Sequence, residues 1–205
     1  MTAILGVFGA GGCGRGILPL VREQNPEARV VFVEDTPRRA DCNGAEVLAF
    51  DDFAAIPQAR IVIAIAEPDV RRGAASRCEA AGLTFYDVRA RQMVVMDEVA
   101  IGPGALFSPW TTLTSNIRIG AHFHCNLYSY VEHDCVIGDF VTFAPAVRCN
   151  GNVTIGDGAY IGSNAVIRQG ITIGAGATVG MGAVVVCDVA PGETVVGNPA
   201  RVLRR

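Results

Sequence analysis

The sequence predicts two consecutive folds, an α/β N-terminal Rossmann-like domain and then a left-handed parallel β-helix of hexapeptide repeats. Short β-branched runs alternate with helical stretches over the first 90 residues, and a glycine-rich turn follows the first run. From Val95 onward, an apolar residue recurs every six positions. We therefore predict domains at residues 1–90 and 91–190, followed by a C-terminal cap over residues 191–205.

The N-terminal half has the pattern of a parallel sheet. Strands that alternate with helices form βαβ units, in which the helices cover the faces of the sheet. Strands are predicted at residues 4–8, 28–33, 60–66 and 83–88, and helices at residues 14–24 and 68–82.

The C-terminal half repeats with a period of six. Sixteen consecutive hexads carry an apolar residue at the same position, at Val95, Ile101, Phe107, Leu113, Ile119, Cys125, Val131, Ile137, Phe143, Cys149, Ile155, Ile161, Ile167, Ile173, Val179 and Val185. In a half-apolar chain this register would arise by chance roughly once in 65,000 trials. The period is the signature of a parallel β-helix with three hexads per coil. Glycine or asparagine often follows the apolar residue, and we interpret that position as the turn.

The composition limits the classes of partner. A net charge of −3 gives no broad basic surface for nucleic acid or an anionic membrane. No apolar stretch approaches the ~20 residues of a membrane-spanning helix. The seven cysteines include no CxxC pair, and no signal peptide is recognised, so we expect a cytoplasmic protein with reduced thiols.

A glycine motif follows the first predicted strand. The segment Gly9-Ala10-Gly11-Gly12-Cys13-Gly14 fits the GxGxxG pattern and opens a helix. Amides at a helix N-terminus bind phosphate, and Asp35, at the end of the next strand, lies where a ribose-binding acid is expected. The motif predicts a nucleotide-phosphate site without naming the nucleotide, and a tight turn without a ligand is the alternative.

The three histidines all fall within the repeats. His133 lies just past a corner with its side chain outward, and Gly151 stacks on it one coil of 18 residues later, leaving room and an amide beside the imidazole. A base for acyl transfer near neutral pH is most simply a histidine. We interpret His122 and His124 as surface residues. The spacings between the histidines do not match an 18-residue coil, so no metal site is predicted.

This order of parts resembles the bacterial sugar acyltransferases grouped with the sialic acid O-acetyltransferase family, which includes nucleotide-linked amino-sugar N-acetyltransferases. The segment from Val131 to Asp139 is similar to the family's catalytic segment. The resemblance implies that His133 is the general base, that Asp134 orients it, and that the Gly151 amide is the oxyanion donor.

The resemblance also implies two ligands and an assembly. The residues implied beside acetyl-CoA are Thr142, Gly180, Pro199 and Arg201. Those implied at the sugar nucleotide are Gly9, Gly11, Gly12, Cys13, Gly14, Asp35 and Arg71. A homotrimer with active sites between neighbouring prisms is implied as well. Cys13 replaces the histidine usual in the family's glycine loop, and Thr142 stands where relatives can have a histidine.

The leading hypothesis is acetyl-CoA-dependent N-acetylation of a nucleotide-linked amino-deoxy sugar in surface-glycan biosynthesis. O-acetylation of sialic acid or another sugar hydroxyl is the first alternative. A zinc enzyme of the γ-carbonic-anhydrase type, a dehydrogenase using the glycine motif and a non-enzymatic scaffold are the others. A metal assay, a cofactor-binding test and the activity of a His133→Ala variant discriminate among these three.

Overall fold

Residues 3–204 are described in a computed structural model, which divides the chain into two compact units, Met1–Val88 and Arg89–Arg205. The segment predicted as a separate cap belongs to the same unit as the repeats. Within residues 3–204, no helix has both the length and the apolarity to cross a membrane.

The first unit is a six-stranded sheet with three helices. The strands are β1 (Ile4–Phe8), β2 (Arg29–Glu34), β3 (Asp41–Cys42), β4 (Ala45–Ala49), β5 (Arg60–Ile63) and β6 (Thr84–Phe85), and the helices are α1 (Gly12–Gln24), α2 (Phe50–Ala54) and α3 (Pro68–Ala80). The strand order is β3-β4-β2-β1-β5-β6, and every pair is parallel except β3 with β4. The strand order therefore reverses at β1, which lies between β2 and β5. In parallel sheets, ligands bind beyond the carboxyl ends of the strands at such a reversal.

The second unit is a parallel β-helix of short strands. They are β7 (Val88–Arg89, at the boundary), β8 (Val94–Ile101), β9 (Leu106–Phe107), β10 (Thr112–Ile119), β11 (His124–Cys125), β12 (Tyr130–Val131), β13 (Val136–Ile137), β14 (Thr142–Phe143), β15 (Arg148–Cys149), β16 (Thr154–Ile155), β17 (Tyr160–Ile161), β18 (Val166–Ile167), β19 (Thr172–Ile173), β20 (Thr178–Val179), β21 (Val184–Val185), β22 (Thr194–Val196) and β23 (Arg201–Val202). From β8 to β21, neighbouring strands pair in parallel 18 residues apart, as in Tyr130 with Arg148 and Val136 with Thr154. At the C-terminal end, β22 pairs in parallel with β20, and β23 pairs with β22 antiparallel. The predicted hexapeptide β-helix, with three hexads per coil, is confirmed.

The apolar positions of the hexads form the core of this unit. From Phe107 to Val185 they are all buried, and the rings of Phe107, Phe123 and Phe143 pack edge to face with centroids 5.7 and 5.1 Å apart. Val95, by contrast, is 43% exposed, because β8 has a neighbouring strand on one side only. The first hexad therefore belongs to the repeat but contributes little to the core.

The predicted position of the turns is wrong. The backbone takes a positive φ three residues after the apolar position, not one, at every corner: Glu98, Gly104, Trp110, Asn116, His122, Tyr128, Asp134, Phe140, Ala146, Asn152, Gly158, Asn164, Gly170, Gly176 and Gly182. Glycine occurs directly after the apolar residue for a different reason, which is the lack of space for a side chain. A Cβ on Gly138 would lie 2.7 Å from the Asp157 amide nitrogen, and one on Gly156 would lie 2.5 Å from that of Ala175. Glycine is needed there because adjacent coils approach closely.

Aspartate side chains connect successive coils beside these glycines. Asp139 Oδ1 accepts a hydrogen bond from the Ala121 amide at 2.7 Å, and Asp157 Oδ1 accepts one from the Asp139 amide at 2.9 Å. We expect Asp139→Ala to lower the free energy of unfolding by about 1–2 kcal/mol, because it leaves the half-buried Ala121 amide without this partner. Urea unfolding measures the change. Asp97→Ala, at an exposed side chain on β8, is the control, and equal stability of the two variants would contradict the prediction.

Candidate active site

The corner after β12 is fixed by both neighbouring coils. The Asp134 amide donates to the Ser115 carbonyl of the preceding coil at 3.0 Å, and the Asn152 amide of the next coil donates to the His133 carbonyl at 2.7 Å. Asp134 has φ 60°, in the left-handed region, which aspartate and asparagine tolerate better than most residues. The two side chains at this corner therefore project from a rigid backbone.

His133 and Asp134 form a hydrogen-bonded pair at the surface. Nδ1 of His133 lies 2.8 Å from Oδ2 of Asp134, and about half of each side chain is exposed. The hydrogen bond to the carboxylate raises the pKa of His133, and the same bond, followed by one from Asn116, lowers the pKa of Asp134. With its Nδ1 proton donated to Asp134, a neutral His133 presents the lone pair of Nε2 for accepting a proton.

Gly151 lies directly beside the imidazole. A Cβ at this position would lie 2.5 Å from Cε1 and 2.6 Å from Nε2 of His133, so a larger residue would have to displace the ring. The repeat correctly placed Gly151 one coil beyond His133. Its role as the oxyanion donor stays a prediction.

The other two histidines are buried, contrary to the prediction of surface positions. His122 is 2% exposed at a corner, and its ring stacks on that of Phe140 with centroids 4.8 Å apart. His124, on β11, is fully buried beside its strand partner Thr142. Of the three histidines, only His133 presents its ring at the surface of this chain. Across residues 3–204, no group of three or more His, Cys, Asp or Glu side chains is arranged to hold a metal ion.

The residues implied beside acetyl-CoA lie in different settings. Thr142 is 1% exposed on β14, so its side chain is not presented at the surface of the single chain. Gly180 packs closely against Val196, whose Cγ1 would lie 2.7 Å from a Cβ at Gly180. Pro199 and Arg201 are exposed near the C-terminus. Their contacts with acetyl-CoA stay predictions.

The glycine motif of the first unit forms a compact loop between β1 and α1. Gly9 has φ 100°, and a Cβ on Gly14 would lie 1.9 Å from the Gly9 carbonyl oxygen, so the helix packs directly on the loop. A Cβ on Gly11 or Gly12 would meet no atom within 4 Å. Helix α1 begins at Gly12, two residues earlier than predicted, and its first amides therefore belong to the motif itself.

Two cavities lie at the carboxyl ends of strands in the first unit, one at β1 and β2 and the other at β2 and β4, and Asp35 lines both. The first, of about 400 Å³, is lined by Phe8, Gly9, Glu34, Asp35, Thr36, Arg38 and Arg39. The second, of about 430 Å³, is lined by Asp35, Ala49, Phe50, Asp51 and Arg77. Asp35 pairs with Arg77, whose guanidinium also stacks over Phe50. Arg38 and Arg39, which line the first cavity, could not be recognised from the sequence because residues 36–59 show no clear periodicity.

Arg71 is buried near the glycine motif, and Cys13, within the motif, is half-buried. Arg71 is fully buried and donates to the carbonyls of Ile65 and Ala66 at 2.6 and 3.0 Å. Burial lowers the pKa of Arg71 to about 10, and burial raises the pKa of the Cys13 thiol although the charge of Arg71 opposes this. Arg71 therefore holds the segment after β5 in place. Direct substrate contacts by Arg71 and Cys13 stay predictions.

Comparison with known proteins identifies the family. Residues 152–187 match the family model described as bacterial transferase hexapeptide (six repeats). The GDP-perosamine N-acetyltransferase of Escherichia coli O157:H7 is 44% identical over 214 residues, covering 98% of this chain and 97% of that protein. The chain belongs to the hexapeptide-repeat family of bacterial sugar acyltransferases. The family predicted from the sequence is thus confirmed.

Two solved structures resemble the whole of this acyltransferase. WeeI from Acinetobacter baumannii AYE is 50% identical with a TM-score of 0.96, and the match covers 98% of this chain and 100% of that one. The acetyltransferase domain of PglB from Neisseria gonorrhoeae FA1090, in complex with acetyl coenzyme A, is 30% identical with a TM-score of 0.93, covering 99% and 100%. The similarity extends over both compact units of the acyltransferase.

Proposed function

We propose that this protein transfers the acetyl group of acetyl-CoA to the amino group of a nucleotide-linked amino-deoxy sugar, in surface-glycan biosynthesis. The observation that carries the proposal is the exposed His133–Asp134 pair with Gly151 beside the ring. GDP-perosamine is the first candidate acceptor, because a relative that aligns along nearly the full chain bears the name of that substrate. Acetyl-CoA is the proposed donor, because it occupies the related PglB domain.

In the proposed reaction, Nε2 of His133 takes a proton from the amino group of the sugar as the nitrogen of that amino group attacks the thioester carbonyl. Asp134 keeps the other ring nitrogen oriented and stabilises the imidazolium that forms. The Gly151 amide donates to the oxyanion of the tetrahedral intermediate. Collapse of that intermediate breaks the C–S bond, completes the amide, and releases CoA as a thiolate.

We propose that the first unit is a Rossmann-like domain that holds the nucleotide of the acceptor. The amides at the start of α1, together with Arg38 and Arg39, would bind the diphosphate. Asp35 would accept a hydrogen bond from the ribose, and Asp51 in the neighbouring cavity offers a carboxylate to N–H donors of the base. The reversal of strand order at β1 supports this placement.

The assembly is proposed to be a homotrimer of left-handed β-helices in the cytoplasm. Prisms with flat faces pack readily about a threefold axis, and a closed cyclic assembly is the common form for such subunits. Light scattering at micromolar concentration is expected to give the mass of three chains. A monomer would contradict the proposal.

A thiol-release assay with acetyl-CoA tests the function. The acceptors are GDP-perosamine, UDP-linked amino sugars and sialic acid, with His133→Ala as the inactive control. Release that depends on a nucleotide amino sugar, together with an N-acetylated product by mass spectrometry, supports the proposal. Release with sialic acid alone would favour the alternative of O-acetylation.

A further inference from the structure

A third side chain completes the hydrogen bonds of the catalytic pair. Asn116 occupies the same corner as Asp134 in the preceding coil, 18 residues earlier, and its Nδ2 donates to Asp134 Oδ1 at 3.2 Å. The other oxygen of that carboxylate, Oδ2, bonds His133 at 2.8 Å. Asn116, Asp134 and His133 therefore form one continuous chain in which each oxygen of the carboxylate has a different partner.

The backbone conformation of the corner alone also favours asparagine at position 116. Asn116 has φ 55°, and asparagine is common at such corners because it tolerates the left-handed region. Asn164 takes φ 60° at another corner of the prism, so it is a corner asparagine with which Asn116 can be compared. The hydrogen bond to Asp134 is the feature that distinguishes Asn116 from a simple corner residue.

We infer that Asn116 is a positioning residue for the proposed acetyl transfer, which holds the Asp134 carboxylate in the rotamer that orients His133. The inference rests on the proposed function. A second hydrogen bond restricts the rotation of an exposed carboxylate further than one bond alone, and the amide donor on Oδ1 leaves Oδ2 directed toward the imidazole. Asn116 acts through Asp134 and does not itself contact the reacting atoms.

Other charged groups near these hydrogen bonds also influence the pKa of His133. A cavity of about 650 Å³ is lined in part by Glu98, Asn116, Arg118 and Asp134. Glu132, next to His133 in sequence, adds a further negative charge that raises the pKa of the imidazole. None of these charges is altered when Asn116 is replaced by glycine, so a changed titration reports the orientation of Asp134.

Three variants test the inference. Asn116→Gly keeps the corner conformation and removes the donor, whereas Asn116→Asp keeps the shape and replaces the donor with a carboxylate that repels Asp134. Asn164→Gly is the matched control for the loss of a corner asparagine. Steady-state kinetics give kcat and the KM for acetyl-CoA, and NMR titration of the His133 imidazole, assigned with a His133→Asn variant, gives its pKa without any substrate.

We expect both Asn116 variants to lower kcat by about two- to tenfold, the size of one hydrogen bond, with the KM for acetyl-CoA unchanged. The pKa of His133 should fall toward its ordinary value in Asn116→Gly and stay unchanged in Asn164→Gly. Equal behaviour of the two glycine variants, or an unchanged His133 titration in Asn116→Gly, would overturn the inference. An inactive wild type would refute the proposed function, while the titration would still decide the role of Asn116.

Discussion

Replacing His133 with alanine is expected to lower kcat by about 10²–10⁴-fold at pH 7, the usual contribution of a general base. The KM for acetyl-CoA should change only a few-fold, because the imidazole acts mainly in the transition state. Asp134→Asn should cost less, because the base remains and loses only its orientation and the stabilisation of its cationic form. Full activity of His133→Ala would remove the proposed mechanism.

The dependence of activity on pH gives a second test of the role of His133. The carboxylate of Asp134 raises the pKa of His133, so the protonated, inactive imidazole persists to a higher pH than it would for an isolated histidine. Activity of the wild type should therefore rise as the pH increases through this raised pKa. In His133→Ala this limb should disappear. With an amine acceptor, the fall in kcat caused by His133→Ala should become smaller as the pH rises, because more of the amine is deprotonated without a base. With a hydroxyl acceptor, the fall in kcat should not become smaller.

Gly151→Ala is expected to lower kcat by about 10–100-fold, because misplacement of a catalytic group by about 1 Å has effects of this order. The added Cβ would lie 2.5 Å from the imidazole, so the ring must move. His133 is half exposed and can rotate away, so the thermal unfolding midpoint should stay close to that of the wild type. Gly73→Ala, on α3 with no atom within 4 Å of the added Cβ, is the control for a glycine-to-alanine change.

This second prediction separates activity from folding. A variant that keeps its unfolding midpoint and loses kcat places the effect in the active site formed by His133 and Gly151, and not in the stability of the coils. Wild-type kcat in Gly151→Ala would show that the position of the ring beside this glycine has no catalytic importance. A large drop in the unfolding midpoint would instead mean that the coils, and not the ring, yield to the added methyl group.

The sequence predicted the repeat well because the core depends on one simple property. From Phe107 onward every coil buries the same hexad position, so the apolar register from Phe107 to Val185 and the stacking of Gly151 on His133 both follow from counting. The turn position could not be predicted in this way. A recurrent glycine can reflect either an unusual φ or a close backbone approach, and only the three-dimensional stacking of Gly138 and Gly156 shows that the second reason applies here.

Other parts of the site depend on packing that a single sequence does not reveal. His122 and His124 do not occupy the inward positions of the hexad, so the repeat suggested exposure incorrectly. Both are buried, and each lies beside the residue one coil of 18 residues later, Phe140 for His122 and Thr142 for His124. Asparagine is an ordinary residue type at a corner, so Asn116 does not stand out in the sequence. Its hydrogen bond to Asp134 is visible only in the stacked coils of the structure. The 18-residue spacing between these two residues was the one available signal.

The unbroken register from Val95 to Val185 also determines how the length of this protein can vary. A single residue inserted within a strand between His133 and Gly151 would turn the side chains that follow it in that strand to the opposite face and shift the register of the coil. Duplication of one complete coil beyond Gly170 would preserve both relationships and lengthen the prism by about 4.8 Å. The solenoid can therefore lengthen by whole coils of 18 residues without loss of register, and the His133–Asp134 pair is unaffected when the added coil lies beyond the coil that contains Gly151.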